Sequence, residues 1–150
     1  MTIRTALVPL SEIVALRHRI LRPGLPLESA AFAEDDRPET FHVAAYDGDG
    51  TEALGCITVF PDLMTGAEGA VAYRFRGMAT AEGARGRGFG AAVLEAATAE
   101  AAARGAELMW CNGRSVARGF YERQGYAVQG EEFQIEGVGP HYVFARKISL

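Results

Sequence analysis

The segment AVAYRFRGMATAEGARGRGFGAAVLEAATAEAAARG, residues 70–105, contains the strongest structural pattern in the chain. Apolar and arginine side chains alternate over residues 70–78, which is typical of a half-exposed strand. Apolar side chains then recur at helical spacing and predict a helix over residues 90–104, with Gly105 well placed to end it. A strand, a glycine-rich turn and a helix therefore follow one another.

The turn between this strand and helix reads Arg-Gly-Arg-Gly-Phe-Gly over residues 85–90. Its three glycines let the backbone turn tightly and point several amide groups into one concavity. The following helix adds its partial positive charge and free amides, and Arg85 and Arg87 add side-chain donors. This combination indicates a phosphate-binding loop. The alternative is a surface loop with two solvated arginines.

Other phosphate-binding motifs fit this loop less well. A P-loop is excluded because no Gly-Lys-Ser or Gly-Lys-Thr follows. Gly86, Gly88 and Ala91 do form the G-x-G-x-x-A pattern of dinucleotide-binding folds. However, residues 81–85 separate the strand from the first glycine, and the roughly 60 residues that follow are too few for a doubly wound sheet. A nicotinamide-dependent oxidoreductase is therefore a minor alternative.

Weaker patterns on either side predict the other elements. Helical spacing after Ser11 predicts a first helix that ends at residues 22–24, and residues 115–123 fit a short helix. Residues 25–40 are expected to form a loop or a short helix. Strands are predicted at residues 3–8, 41–46, 53–60, 106–111, 126–135 and 141–148. Since no repeat or linker interrupts this order, residues 1–150 are expected to form one domain.

The composition limits the classes of partner. The 150 residues include 15 lysines and arginines against 19 aspartates and glutamates, a net charge of −4. Affinity for a nucleic-acid backbone needs clustered positive charge, so no nucleic-acid partner is expected. No uncharged run could span a bilayer and no signal peptide is recognisable, so we expect no membrane association and a cytoplasmic location. Cys56 and Cys111 are expected to be reduced core thiols, and no residue spacing predicts a metal site.

The glycine-rich turn and its neighbours resemble the GNAT superfamily of acyl-CoA-dependent N-acyltransferases. The motif of that family, Arg/Gln-x-x-Gly-x-Gly/Ala, is matched by Arg85, Gly88 and Gly90. The match is specific from about Tyr73 to Tyr126, and the element order fits over the whole chain. The resemblance implies a mixed α/β fold whose central, mostly antiparallel sheet is splayed in the middle and flanked by helices. It also implies acetyl-CoA as the co-substrate, bound in the splay.

The resemblance further implies which residues contact acetyl-CoA. The loop holds the pyrophosphate of coenzyme A, and the preceding strand pairs its backbone with the pantetheine arm. Many members carry an asparagine seven residues before a tyrosine that faces the thioester sulfur; here Arg114 stands there, and Asn112 lies two positions earlier. Asn112 is either a coenzyme A contact or a cap of its own turn. The predicted cofactor-binding residues are Met78, Ala79, Thr80, Arg85, Gly86, Arg87, Gly88, Phe89, Gly90, Ala91, Asn112 and Tyr121.

Three residues are predicted to be catalytic. Tyr121, the tyrosine that the resemblance assigns to the thioester sulfur, can protonate the departing thiolate; packing in the core is its alternative role. A backbone amide near Met78 or Ala79 can stabilise the developing oxyanion. Glu131 and Glu132 are adjacent on a predicted strand, so their side chains face opposite sides and only one can point to the site; Glu132 is the first choice for a general base. His141 is the second choice, because histidine titrates near neutral pH. Loss of the amine proton to water is the third possibility.

The acceptor is not specified by the sequence. Residues 34–36, Glu-Asp-Asp, lie in a region that borders the acceptor site in the resembled family, and form either an acidic lip for a cationic amine or a solvated loop. The predicted function is acetyl transfer from acetyl-CoA to a primary amine of a small molecule or peptide, by direct attack in a ternary complex. The alternative is a non-catalytic acyl-CoA-binding sensor module. Exposed strand edges in the C-terminal hairpin would allow a homodimer.

Overall fold

The computed structural model describes residues 2–148, and its elements follow the predicted order. The strands are β1 (Ile3–Val8), β2 (Phe41–Asp47), β3 (Gly55–Pro61), β4 (Ala72–Thr80), β5 (Leu108–Arg114), β6 (Ala127–Ile135) and β7 (Gly139–Lys147). The helices are α1 (Val14–Leu21), α2 (Phe89–Ala103) and α3 (Arg118–Arg123). The segment between α1 and β2 contains two short 3-10 turns, Leu27–Ala30 and Ala33–Asp36.

The strands form one sheet in the order β1-β2-β3-β4-β5-β7-β6. Neighbouring strands are antiparallel except β4 and β5, which are parallel and pair only from Ala72–Leu108 to Arg74–Trp110. Beyond Arg74 the two strands separate, since β5 continues along β7 while β4 stays on β3. The predicted mixed α/β fold with a splayed, mostly antiparallel sheet is therefore confirmed.

The helices cover both faces of the sheet. A Cβ atom at Gly55 would contact Phe89 of α2, whereas the Thr58 hydroxyl accepts a hydrogen bond from Arg17 of α1. Because side chains alternate along a strand, residues 55 and 58 of β3 face opposite sides, and so do α1 and α2. Buried apolar residues of α2 provide the core on one side.

Strands β1 and β7, which lie near the two ends of the described residues, belong to the same sheet, and one domain over residues 1–150 stays a prediction. Strand β6 of the C-terminal hairpin lies at one edge of the sheet, and a homodimer formed through such an edge stays a prediction. Cys56 and Cys111 are buried and unpaired. None of the helices in residues 2–148 has the length and apolar character needed to cross a membrane.

Candidate active site

Two clefts lie along β4, one between β4 and β5 where these strands separate and one at the glycine-rich loop. The splay cleft, about 420 Å³, is lined by residues 74–78 of β4, residues 111–114 of β5, Tyr121 and His141, and by Leu21, Arg22, Phe32, Ala117, Ile135 and Val138. The loop cleft, about 430 Å³, is lined by Thr80, Ala84, Arg85, Gly86, Gly88, Phe89, Gly90, Ala91, Phe120, Arg123 and Gln124. Strand β4 and helix α3 each contribute residues to both clefts.

The loop cleft is built from backbone amides and two arginines. Gly86 and Gly88 have φ values of +75° and +94°, which glycine adopts without strain. The first helical hydrogen bond of α2 joins Ala92 N to Gly88 O at 3.0 Å, so the three amides before it have no helical acceptor. Arg85 and Arg123 add side-chain donors to the same cleft. The cleft therefore presents concentrated positive potential to an anion.

Strand β4 contains a bulge at the splay. Cys56 of β3 pairs with Ala79 and Thr58 pairs with Arg76, so Gly77 and Met78 together lie opposite a single residue of β3. Gly77 has a φ of +68°, the left-handed conformation that such bulges place on glycine. Burial raises the pKa of the Cys56 thiol to about 11, although the Ala79 amide acts in the opposite direction through a hydrogen bond to that thiol. Since Met78 lines the splay cleft and Ala79 lines neither cleft, Met78 is the better candidate for the oxyanion donor.

Tyr121 lies in the wall of the splay cleft with only 8% of its surface exposed. Its ring stacks on Phe144 at a centroid distance of 4.5 Å. Burial raises the pKa of the phenol well above its usual value, and the neighbouring Cys111 thiol acts in the same direction. The hydroxyl therefore keeps its proton over the physiological range, as a proton donor must. Both suggested roles, packing and proton donation, are compatible with this position.

The two predicted bases lie in different places. His141 is buried, lines the splay cleft and has Nδ1 2.8 Å from the Gly139 carbonyl oxygen. A carbonyl only accepts, so Nδ1 carries the hydrogen and the neutral ring has its lone pair on Nε2. Glu132 is exposed, accepts a 2.7 Å hydrogen bond from Ser115 Oγ and does not line either described cleft. Strand β6 is irregular between residues 129 and 133, so the regular alternation assumed for Glu132 does not hold there.

A cluster that sequence analysis missed lies behind the bulge. Arg17 is fully buried and makes a two-point ion pair with Asp35, at 2.8 and 3.1 Å. The Phe32 ring lies between two guanidinium groups, 4.0 Å from that of Arg17 and 3.9 Å from that of Arg76. Arg76 also pairs with Glu34 at 3.0 Å. Two of the three acidic residues are thus neutralised by arginines, so residues 34–36 form neither an acidic lip nor a solvated loop.

The chain matches a known family. Residues 37–128 match the family model described as the acetyltransferase (GNAT) domain. The chain belongs to the GNAT acetyltransferase family. It is also 34% identical over 142 residues to a Bacillus subtilis (strain 168) protein named uncharacterized N-acetyltransferase YitI, a match that covers 94% of this chain and 93% of that protein.

Solved structures share the fold of this GNAT chain. Escherichia coli ElaA is similar with a TM-score of 0.78 and 14% identity, over 97% of this chain and 99% of its own. An aminoglycoside 6'-N-acetyltransferase complexed with coenzyme A is similar with a TM-score of 0.75 and 19% identity, over 100% and 98% of the two chains. Identities this low show the fold alone.

As a GNAT acetyltransferase, the protein uses acetyl-CoA as its co-substrate, which confirms the prediction that the family resemblance implied. The loop cleft fits the pyrophosphate of coenzyme A because its amides and arginines supply donors and positive charge without an acidic side chain in its described lining. Among residues 2–148, no group of three or more potential metal ligands is clustered.

The structure distributes the predicted cofactor residues over both clefts. Most residues of the 85–91 loop and Thr80 line the loop cleft, while Met78, Asn112 and Tyr121 line the splay cleft. Arg87 lines neither cleft and pairs with Asp47 at 3.1 Å. Arg123 of α3 lines the loop cleft, and the sequence analysis did not predict it as a cofactor-binding residue. Its place two residues after Tyr121 on the same short helix could have indicated that role.

Proposed function

We propose that this GNAT protein transfers the acetyl group of acetyl-CoA to a primary amine by direct attack while both substrates are bound. The main support for this proposal is that both clefts lie along β4, since Met78 lines the splay cleft and Thr80 lines the loop cleft. Coenzyme A held at the loop cleft can follow β4 and present its thioester in the splay. Orienting the amine and the thioester there supplies a large part of the rate acceleration.

The reaction forms one bond and breaks one. The lone pair of the neutral amine attacks the thioester carbon, the C–S bond breaks, and an amide and free coenzyme A result. Negative charge that develops on the carbonyl oxygen is stabilised by the Met78 amide, and removal of a donor of this kind costs about 10²–10³ in rate in well-studied enzymes.

Two protons move during the transfer. His141 Nε2 is our first candidate to accept the proton of the amine, because Nδ1 is occupied as a donor to Gly139. Glu132 is the second candidate and water the third. Tyr121 donates a proton to the coenzyme A sulfur, a role supported by its place in the splay cleft.

Thiol release from acetyl-CoA in the presence of a panel of primary amines tests the proposal. Tyr121→Phe should lower kcat by about 100-fold, the usual contribution of a general acid, and leave acetyl-CoA affinity by calorimetry unchanged. Tyr126→Phe is the matched control, since Tyr126 is a buried tyrosine of the same aromatic cluster that lines neither cleft. Equal rates for both variants would reduce Tyr121 to a packing residue.

The same assay distinguishes an acetyltransferase from the alternative, a non-catalytic acyl-CoA-binding sensor. Binding of acetyl-CoA without thiol release for any amine would favour a non-catalytic acyl-CoA-binding module. Amine-dependent thiol release together with recovery of the acetylated amine would support transfer.

A further inference from the structure

The charged side chains that line the splay cleft are cationic. They come from three parts of the fold, since Arg22 follows α1, Arg74 and Arg76 lie on β4, and Arg114 ends β5. Within residues 2–148, no aspartate or glutamate lines this cleft. Such a cleft repels a cationic acceptor and attracts an anionic one.

Two of these arginines already have carboxylate partners. Arg76 pairs with Glu34 at 3.0 Å and Arg74 pairs with Asp62 at 3.5 Å. Arg22 donates to the neighbouring Leu21 carbonyl at 3.0 Å. Across the described residues, no carboxylate lies within salt-bridge distance of Arg22 or Arg114. The cleft therefore keeps two positive charges that no side chain within residues 2–148 neutralises.

Arg114 lies close to the groups proposed to move protons. Its Cα is the register partner of His141 across the β5–β7 pair. Its charge also acts to lower the pKa of Tyr121, against the larger effect of burial. An anionic group bound by Arg114 would therefore sit beside the reaction centre, and an amine attached to that group through a few bonds would be placed near the thioester.

The other walls of the splay cleft are largely apolar. Leu21, Phe32, Ile135 and Val138 line it together with the arginines. Val138 exposes 43% of its surface to solvent, a large fraction for an apolar side chain at a cleft. An acceptor with an apolar body as well as an anionic group would cover this surface and gain hydrophobic stabilisation.

We propose that the acceptor is an apolar amino acid, or a similar small amine, whose carboxylate is bound by Arg114 with help from Arg22. Guanidinium groups bind carboxylates through paired, charge-assisted hydrogen bonds, so this anion both adds affinity and orients the amine. The inference rests on the proposed acetyl transfer and names the class of its acceptor.

Matched substrate pairs test the inference. Initial rates of thiol release from acetyl-CoA are measured for L-phenylalanine, L-leucine and L-methionine, each beside its carboxamide, which keeps the side chain and the amine but lacks the charge. The carboxamide amine is the less basic of each pair, so a larger fraction of it is neutral at mildly alkaline pH. A faster rate with the acid therefore cannot come from the intrinsic reactivity of its amine. Spermidine and phosphoethanolamine represent a cationic and a phosphate-bearing amine.

At least one acid should exceed its carboxamide by about tenfold or more in kcat/KM, the scale of a charged hydrogen-bond pair. Arg114→Gln should lower kcat/KM for that acid by about tenfold more than kcat/KM for its carboxamide, so that the preference for the acid is lost; a general structural defect would lower both alike. Arg19→Gln, which removes an exposed arginine outside both clefts, is the control and should change neither.

Two kinds of failure are distinguishable. Use of the carboxamides or spermidine as well as the acids, or a preference for phosphoethanolamine, would overturn the carboxylate assignment and leave acetyl transfer intact. Absence of thiol release with every amine would overturn the proposed transfer itself. Calorimetric binding of the same amino acids to the enzyme–coenzyme A complex, lost in Arg114→Gln, supports the carboxylate site without turnover; no binding to either protein contradicts it.

Discussion

A Cβ atom at Gly77 would lie 2.7 Å from Cε2 of Phe32, a contact that a folded protein does not tolerate without movement. Phe32 cannot move freely, because its ring is held between the guanidinium groups of Arg17 and Arg76. Arg17 is fixed in turn by its ion pair with Asp35. The segment between α1 and β2, which contains Phe32 and Asp35, therefore sets the position of the β4 bulge, where the proposed oxyanion donor lies.

Gly77→Ala should damage both stability and catalysis. The new methyl group meets Phe32 and forces alanine into a left-handed backbone, so we expect unfolding free energy to fall by about 2 kcal/mol or more. Displacement of the Met78 amide should also lower kcat by about 10²-fold. Gly83→Ala is the control, because Gly83 has no positive φ and a methyl group there would have no other atom within 4 Å. Denaturant unfolding and thiol release would measure the two effects; a fully active, stable Gly77→Ala would contradict this view of the bulge.

Gly90→Glu should block acetyl-CoA binding while the fold is kept. Gly90 lies in the first turn of α2, where a carboxylate favours the helix dipole, and a Cβ there would make only ordinary contact, 3.5 Å from Thr80 Oγ1. The same carboxylate would compete with the pyrophosphate in the loop cleft. We expect Kd for acetyl-CoA to rise more than about tenfold by calorimetry, with an unchanged Tm.

The matched control for this substitution is Gly69→Glu. Gly69 is exposed and lies outside both clefts, and a Cβ added there would have no other atom within 4 Å. It adds the same charge to the protein. If Gly90→Glu and Gly69→Glu bound acetyl-CoA equally well, the loop cleft would not hold the pyrophosphate.

The pH dependence of the rate distinguishes the proposed bases. If His141 accepts the amine proton, the pH dependence of kcat/KM should be flatter in His141→Asn than in the unmodified protein. Glu132→Gln should leave the profile unchanged, because Glu132 is exposed and bonded to Ser115. The opposite pattern would favour Glu132, and unchanged profiles in both variants would favour water.

Acid should destabilise the protein in two steps. Burial lowers the pKa of His42 from 6.5, so below about pH 6.5 the unfolded chain binds more protons than the folded one and stability falls. Burial acts to raise the pKa of Asp35, but the hydrogen bond from Arg17 holds it below its ordinary value of 3.8, so further stability is lost below about that pH. His42→Gln should remove the first step and keep the second in urea unfolding measured from about pH 3 to pH 8. Persistence of the first step would exclude His42 as its source.

Local sequence signals predicted the parts of the site that are contiguous in the chain. The alternation before residue 78, the glycines of residues 85–90 and the helical spacing after them fall within one segment, and their structure follows from short-range rules. The splay between β4 and β5 was predicted only from the family resemblance. The sequence of neither strand indicates which strand it pairs with or where that pairing ends.

The parts that sequence analysis missed depend on distant partners. The Arg17–Asp35 pair and the stacking of Phe32 join segments that carry no mutual signal, so residues 34–36 looked like an ordinary charged run. The four arginines of the splay cleft come from three separate elements and converge only in the fold. The prediction that only one of Glu131 and Glu132 faces the site assumed regular strand alternation, which the irregular part of β6 interrupts.

Cys111 is the side chain in the splay cleft that could form an acetyl-enzyme and thereby replace direct attack. Burial raises the pKa of its thiol to about 12, so it stays protonated and is a poor nucleophile near neutral pH. Initial velocities measured over a grid of acetyl-CoA and amine concentrations test direct attack most directly. Double-reciprocal lines that intersect are predicted, because both substrates must be bound together; parallel lines, with acetyl label retained on the protein before amine is added, would contradict the account.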